Sequence, residues 1–302
     1  MVSDSLTEEI EECIRGAVDM HVHSAPDIIA RKGNDIEFAK MARTAGMAGI
    51  VLKSHYVPTA DRASLVNDIV GGVKVIGGIT LNNSVGGINP QAVEVAGRSG
   101  AKVVWMPTVD SENEDRKKDT QNQNKLPYWA IIKREMAQKG FDTSPVKILD
   151  QDGNFVKAVH EVIERIKEHN MILATGHLSP VESIKLIKLA SSCGLTKVVI
   201  THPEFPTTSF TLEEQQELCA YGVFFERCYT TAATGKTSWQ HILDEVKATG
   251  TERNILSTDL GQPNAPYPVE GIKQFVKVFL EHDFSVDDIR KMTVLNQEAL
   301  LS

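Results

Sequence analysis

Eight short runs of β-branched and apolar residues, each separated from the next by a helix-like stretch, constrain this chain more than any other feature. The runs are Ala17 to His21, Gly49 to Lys53, Val73 to Thr80, Ala101 to Met106, Met171 to Thr175, Lys197 to Thr201, Val223 to Glu226 and Asn254 to Ser257. Most are apolar on both faces, which suits parallel strands covered by helices rather than strands with one wet face. The segments between them carry helical patterning: Asp35 to Ala45, Ala60 to Val70, Pro90 to Ser99, Phe155 to His169, Pro180 to Cys193, Leu212 to Tyr221, Trp239 to Thr249 and Val269 to His282. Pro90 and Pro180 stand at first-turn positions, and Gly46, Gly100, Gly194 and Gly250 follow helical segments where a C-terminal cap is wanted. Eight strand-plus-helix units match an α/β (β/α)8 TIM barrel, which usually takes ~250 residues. One domain over residues 1–302 is therefore expected. An open doubly wound sheet is the competitor, but it places a glycine-rich phosphate turn after its first strand. That place here reads Asp19-Met-His-Val-His23.

Residues 109–152 interrupt the regular spacing. The segment is rich in Asp, Asn, Gln and Lys around an amphipathic piece, Leu126 to Gln138, and ends in a hairpin-like signal with Asp152-Gly153 as its turn. Because it follows the fourth run, it would rise over the C-terminal mouth of a barrel. A lid-like insertion is one expectation and a disordered loop is the other.

The 32 Lys and Arg against 40 Asp and Glu leave a formal charge of −8 with no basic stripe. The two dense basic pieces, Arg116 to Lys118 and Lys133 with Arg134, sit among acids, so a nucleic-acid partner is not expected. No apolar run reaches the length of a membrane span, and the acidic, helix-like start from Met1 to Ala17 is unlike a secretory signal. A cytoplasmic protein is expected. Cys13, Cys193, Cys219 and Cys228 lack C-x-x-C spacing and read as reduced, mostly buried thiols.

Five of the nine histidines fall where strands would end at one rim: His21 and His23 after the first run, His55 after the second, His177 after the fifth and His202 after the sixth. Asp259 ends the eighth. His160, His169, His241 and His282 lie on helix-like segments and are expected to be solvated. By the two-residue period of a strand, His21 and His23 point the same way and Asp19 shares their face; Lys53 shares a face with His55, Thr175 with His177 and Ser257 with Asp259. Imidazoles with a carboxylate suit a borderline divalent ion such as zinc. Such an ion lowers the pKa of bound water from 15.7 to about 7, and a neighbouring carboxylate can relay the proton. A lone H-x-H is a common accident, but the series H-x-H, His, His, Asp in strand order is not.

Asp19-Met-His-Val-His23, Thr175-Gly-His177, Thr201-His202-Pro, Ser257-Thr-Asp259 and Asn296-Gln-Glu-Ala-Leu300 resemble the metal-dependent amidohydrolase superfamily over nearly the whole chain. The resemblance implies a (β/α)8 fold and a site for one or two metal ions. It also implies that His21, His23, His177, His202 and Asp259 match the metal-centre motif, with Asp259 shuttling the proton of the hydrolytic water and His202 holding a second ion or polarising the scissile group. In two-metal members a carboxylated Lys or a Glu after the fourth strand commonly bridges the ions. Here that place reads Val103-Val-Trp-Met-Pro-Thr108, with neither.

Lys53 is the candidate substitute, since burial favours the neutral amine that carboxylation needs; an ammonium paired with Asp19 or Glu226 is the favoured alternative. Glu226 either contacts substrate or pairs with Lys53 or the neighbourhood of Arg227. Asp27 supports a ligand histidine or caps a helix, and His55 binds substrate or adds to the metal shell. Gly235-Lys236-Thr237 fails as a phosphate loop because the required upstream glycine is Thr230, and Asn82-Asn83-Ser84 is read as no more than a chance glycosylation pattern. Gly77-Gly78 and Gly86-Gly87 are read as positions of close packing and turning. The expected function is hydrolysis of a small molecule at an amide or lactam C–N bond or a ring amidine. Lactone or phosphoester hydrolysis, decarboxylation or isomerisation on the same site, and a metal-binding barrel without turnover are the alternatives, and association into a homo-oligomer is left open.

Overall fold

The computed structural model describes residues 4–117 and 128–302. Its strands are β1 Val18–Val22, β2 Gly49–Leu52, β3 Lys74–Ile76, β4 Gly78–Thr80, β5 Val103–Trp105, β6 Ile172–Ala174, β7 Val198–Thr201, β8 Phe224–Cys228 and β9 Asn254–Ser257. All pair in parallel, as β1-β2-β3 and as β4 through β9 in order. Parallel neighbours require crossovers, which the helices supply. In chain order these are α1 Asp4–Ile14, α2 Asp35–Thr44, α3 Ala60–Val70, α4 Pro90–Arg98, α5 Glu112–Lys117, α6 Tyr128–Gln138, α7 Lys157–Glu168, α8 Pro180–Ser192, α9 Leu212–Cys219, α10 Tyr229–Ala233, α11 Trp239–Thr249, α12 Pro268–Leu280, α13 Val286–Arg290 and α14 Asn296–Leu301.

The third expected strand is split at Gly77. A Cβ there would lie 2.3 Å from the Cα of Ala60, so only glycine allows the start of α3 to press against the strand. Thr59 bridges the resulting gap: its N–H donates to Gly78 O at 2.9 Å, while its hydroxyl accepts from Gly78 N at 2.8 Å and donates to Leu52 O at 2.8 Å. At the other side, the chain just beyond β9 bonds to the end of β1, with Asp259 N donating to His21 O and His23 N to Leu260 O, both at 2.8 Å.

Val18, Met20, Val51, Ile76, Val103, Trp105, Ile172, Ala174, Val199 and Ile255 form one apolar cluster contributed by all eight expected runs except Val223 to Glu226, whose Phe224 packs against it. Two larger clusters lie between the sheet and the helices, with α1 and α12 on one side and α4, α7 and α8 on the other. Strand residues of alternating parity feed the inner and outer clusters, as in Val103 and Trp105 against Val104.

Two parity expectations fail. A register irregularity between Asp19 and Val22 breaks the alternation of β1, so Asp19 does not share the face of His21 and His23. Its buried carboxylate accepts instead from His21 N at 3.2 Å, Thr258 N at 2.9 Å and Thr258 Oγ at 2.5 Å, and so fastens β1 to the end of β9. Thr175 likewise does not share a face with His177, because Gly176 turns with φ +60° between them. Thr175 Oγ accepts from Thr201 N at 3.1 Å.

Within the 109–152 insertion, α5 and α6 are followed by the expected turn, where Asp150 N donates to Asn154 O at 2.8 Å and Leu149 pairs antiparallel with Phe155. That pairing also explains why α7 begins at Lys157 rather than at the expected Phe155. Residues 118–127, which include Lys118 of the basic piece and Leu126 of the amphipathic piece, lie outside the described residues. The helices α5, α10, α13 and α14 were not anticipated; each is six residues or fewer, too short for a clear helical period.

Candidate metal centre

His21 Nε2, His23 Nε2 and Asp259 Oδ1 converge: the two nitrogens are 3.3 Å apart and stand 3.1 and 3.2 Å from the carboxylate oxygen. Three ligand atoms on one tetrahedral cation, bonded at ~2.0–2.2 Å, would be about 3.3–3.6 Å apart. The donor set fits a divalent ion. Both histidine side chains are nearly fully buried and the Asp259 side chain is 18% exposed, so one side of the cluster opens to solvent.

The backbone delivers these groups under strain. His202 and Asp259 adopt φ +30° and +52°, a region non-glycine residues rarely occupy. Gly176, before His177, has φ +60°, and a Cβ there would fall 2.3 Å from Met106 O. The chain turns sharply at the ends of β6, β7 and β9, and each turn swings its functional side chain toward the others. The His177 and His202 rings lie 4.9 Å apart, His23 and His55 4.9 Å, and His21 and His202 6.3 Å.

Each rim histidine has a partner on Nδ1. His21 faces Glu226 Oε2 at 3.3 Å, His55 faces Thr108 Oγ at 2.8 Å, His177 faces Glu114 Oε1 at 2.9 Å and His202 faces Thr208 Oγ at 3.2 Å. Such contacts orient a ring and leave Nε2 to the site. His23 differs, with Arg31 Nη2 at 3.4 Å. Burial lowers the pKa of His23, His55 and His202 well below the ordinary histidine value, and also lowers that of His177 against the pull of Glu114. Neutral imidazoles are the form that binds metal. Burial alone would raise Asp259, but the electrostatic pull of His21 and Lys53 and the hydrogen bond from His23 hold its carboxyl well below the usual range.

Lys53 Nζ stands 3.0 Å from His21 Nε2 and 5.3 Å from the centre of the Trp105 ring, fully buried, with its pKa lowered by burial despite Asp259 and Glu226. Its close partner is therefore His21; Asp19 is engaged by Thr258. Glu226, expected to meet substrate, Lys53 or the surroundings of Arg227, supports His21 instead. Arg227 points to the outer face of the sheet, where it binds Glu204, Glu245 at 2.6 Å and Gln215 at 2.8 Å. Asp27 caps no helix: it takes two bonds from Arg31, at 2.9 and 2.7 Å, and reaches His23 only through that guanidinium. Cys228 lies 3.9 Å from His21 Nδ1, but burial and Glu226 push its thiol pKa well up, away from the ligating thiolate.

Of the helical histidines, His160 and His241 are exposed as expected. His169 and His282 are half-buried: His169 Nε2 meets Glu94 Oε2 at 2.8 Å, and His282 Nδ1 donates to Val278 O at 2.7 Å. These rings close helix ends rather than sit in water.

A cavity of about 280 Å³ opens above the histidines, walled by Arg31, Trp129, Phe205 and Lys236. Trp129 comes from α6 and Glu114 from α5, so the insertion contributes both to the cavity wall and to the support of His177. Sequence reasoning missed Glu114, because the insertion has no strand parity from which to place an acid. The available signal was the acid-rich start of the segment, Glu112 to Asp115.

No curated protein sequence matches the chain. Among solved structures, an amidohydrolase from Pseudomonas aeruginosa is similar at a TM-score of 0.61 and 12% identity, covering 98% of each chain. Dipeptidase AC, a metallopeptidase, gives 0.58 and 12%, covering 95% of this chain and 98% of its own. The N-acetyl-D-glucosamine-6-phosphate deacetylase from Mycobacterium smegmatis gives 0.54 and 13%, covering 95% of this chain and 76% of its own. These likenesses establish a shared α/β fold with parallel strands, that of amidohydrolase-like metal-dependent hydrolase structures. Residues 16–226 match the profile of a sequence family, over two-thirds of the chain, and the protein accordingly belongs to DUF6282, a family of unknown function.

Proposed function

We propose that the chain is a single closed (β/α)8 domain with a lid-like insertion at residues 109–152, acting as a metal-dependent hydrolase of a small molecule. The convergence of His21, His23 and Asp259 within 3.1–3.3 Å is the observation that carries the reading. Closure is supported by the bonds from Asp259 N and His23 N across to β1 and Leu260. The fold shared with metal-dependent hydrolases adds to this, as do imidazoles whose Nδ1 atoms are already held.

His21, His23 and Asp259 would hold one divalent ion, for which zinc is the natural candidate given imidazole and carboxylate donors. His177 and His202 would hold a second ion or polarise the scissile group, with His55 beside them. When bound, such an ion acidifies water and polarises a carbonyl. Asp259 carries the proton: its second oxygen, Oδ2, accepts from Thr230 Oγ at 3.0 Å, which fixes the carboxylate plane. Glu226 and Glu114 keep His21 and His177 in register. Phe205 and Trp129 narrow the access of bulk water. With an ion on His21 Nε2, Lys53 would give up its contact with that nitrogen and either balance the charge of Asp259 and Glu226 or, as a carboxylated amine, join the ligands. The bond is best read as an amide or lactam C–N bond, with lactone and phosphoester cleavage or decarboxylation as further uses of the same site.

The test is an assay of the metal-loaded protein against panels of amides, lactams, lactones and phosphoesters, with Asp259→Asn beside it. Turnover lost by at least about a hundredfold in Asp259→Asn supports the reading. No turnover of any panel member, or turnover unaffected by Asp259→Asn, overturns it.

A further inference from the structure

The groups around the cavity are more cationic than the chain as a whole. Arg31 is neutralised by its two bonds to Asp27, and Lys53 is committed to the histidine floor. Lys236 is different. Its ammonium lies 4.1 Å from the centre of the Phe205 ring and lines the cavity, and among the described residues no carboxylate comes within ion-pair distance of it. Phe205 in turn packs on His202, at 4.9 Å between ring centres, so the aromatic ring draws the exposed lysine to the side of the site. The local chain is built for this position. After α10, Gly235 turns with φ +71° and Lys236 N donates to Thr231 O at 3.0 Å, reversing the chain toward the mouth.

An unpaired ammonium at the rim of a cavity recognises an anion. Lys236 offers a single charge, which suits a monoanionic carboxylate better than a phosphate, whose oxygens call for several donors. The cavity volume of about 280 Å³ is at the small end for ligand sites and matches a compact molecule. We propose that Lys236 binds the free carboxylate of a small acid whose hydrolysable group lies over the histidine floor, making the substrate class the amides, lactams or esters of small carboxylic acids. This rests on the hydrolytic reading of the same site. Lys236 is a specificity residue within it and takes no part in bond cleavage.

The test uses glutarate, a compact dicarboxylate, with its diamide and propylphosphonate as comparisons, titrated by calorimetry and by tryptophan fluorescence into metal-free protein. Without metal, a direct carboxylate–metal bond contributes nothing, and the outcome is independent of whether the metal reading holds; that reading is scored separately by metal content. Lys236→Met keeps the stem over Phe205 and removes the charge, and Lys236→Arg restores the charge. Glutarate binding weakened at least about tenfold in Lys236→Met, kept within about threefold in Lys236→Arg, and absent for the diamide is the expected result. Equal binding of glutarate by wild type and Lys236→Met overturns the proposal, as does equal binding of the diamide. Tighter binding of propylphosphonate than of glutarate overturns the carboxylate assignment in favour of phosphate.

Discussion

Glu114 offers a sharp perturbation because one oxygen serves two buried donors. Its Oε1 accepts from His177 Nδ1 at 2.9 Å and from Thr207 Oγ at 2.6 Å, and its side chain is 4% exposed. Glu114→Leu takes that acceptor from both donors. Each buried donor that loses its acceptor costs about 1–3 kcal/mol, so for two the metal-free variant should lose roughly 2–6 kcal/mol of stability. Loss of the contact that orients a ligand histidine typically weakens metal binding 10–100-fold, or ~1.4–2.7 kcal/mol. Glu114→Gln keeps an acceptor oxygen at similar volume and should lose less than about tenfold. A competition titration against a chelator reads the metal term, and thermal unfolding followed by circular dichroism reads the stability term. Wild-type affinity and melting temperature in Glu114→Leu would show that Glu114 does not orient His177. An affinity as low in Glu114→Gln as in Glu114→Leu would show that charge matters rather than orientation.

Arg227 is fully buried between Glu204 and Glu245, so Arg227→Met should destabilise by about 3–5 kcal/mol in urea unfolding, since two acids lose their counter-ion; an unchanged midpoint would refute the network. Burial pushes the Glu245 carboxyl up to about 7, with Arg227 opposing and Glu204 reinforcing the rise, while His241 Nε2 stands 3.1 Å from its other oxygen. The folded state therefore holds the Glu245 proton more tightly than the unfolded state, and this contribution to stability is lost as pH rises through about 7. The melting temperature of Glu245→Gln should gain on wild type between pH 5 and 8, and parallel curves would contradict this assignment. At α8, Ser179 and Glu182 cap each other's backbone N–H groups, so Ser179→Ala should cost about 1 kcal/mol in unfolding while leaving metal content intact. Gly77→Ala, which sets a methyl against Ala60 Cα, should cost about 1–3 kcal/mol or more, and a neutral effect would remove the packing reason for the split strand.

The strands were legible because burial on both faces leaves unbroken β-branched runs, as in Val198-Val-Ile-Thr201, and the rim histidines followed because they stand where those runs end. The period of two then carried Lys53 to the histidine floor but misplaced Asp19 and Thr175. A register irregularity in β1 and the left-handed Gly176 are properties of strand neighbours, which one strand's own spacing does not express. Long-range partners were the least legible. Glu226 is 205 residues from His21, and Glu114 is 63 from His177, the latter on a six-residue helix inside the insertion. Nothing local to those acids distinguishes them from solvated ones. Lys236 was visible only as part of a failed phosphate-loop pattern, and it gained meaning once Phe205 and the cavity stood beside it.

The most direct measurement is metal content per chain after loading and exhaustive dialysis, compared among wild type, His21→Ala, His177→Ala and a control, His160→Ala, whose imidazole is exposed on α7. The predicted result is at least one ion per chain in wild type and in His160→Ala, and a marked loss in His21→Ala or in both rim variants. Full retention in His21→Ala and His177→Ala alike, or a wild type that takes up no ion, would contradict the metal centre on which the functional reading stands.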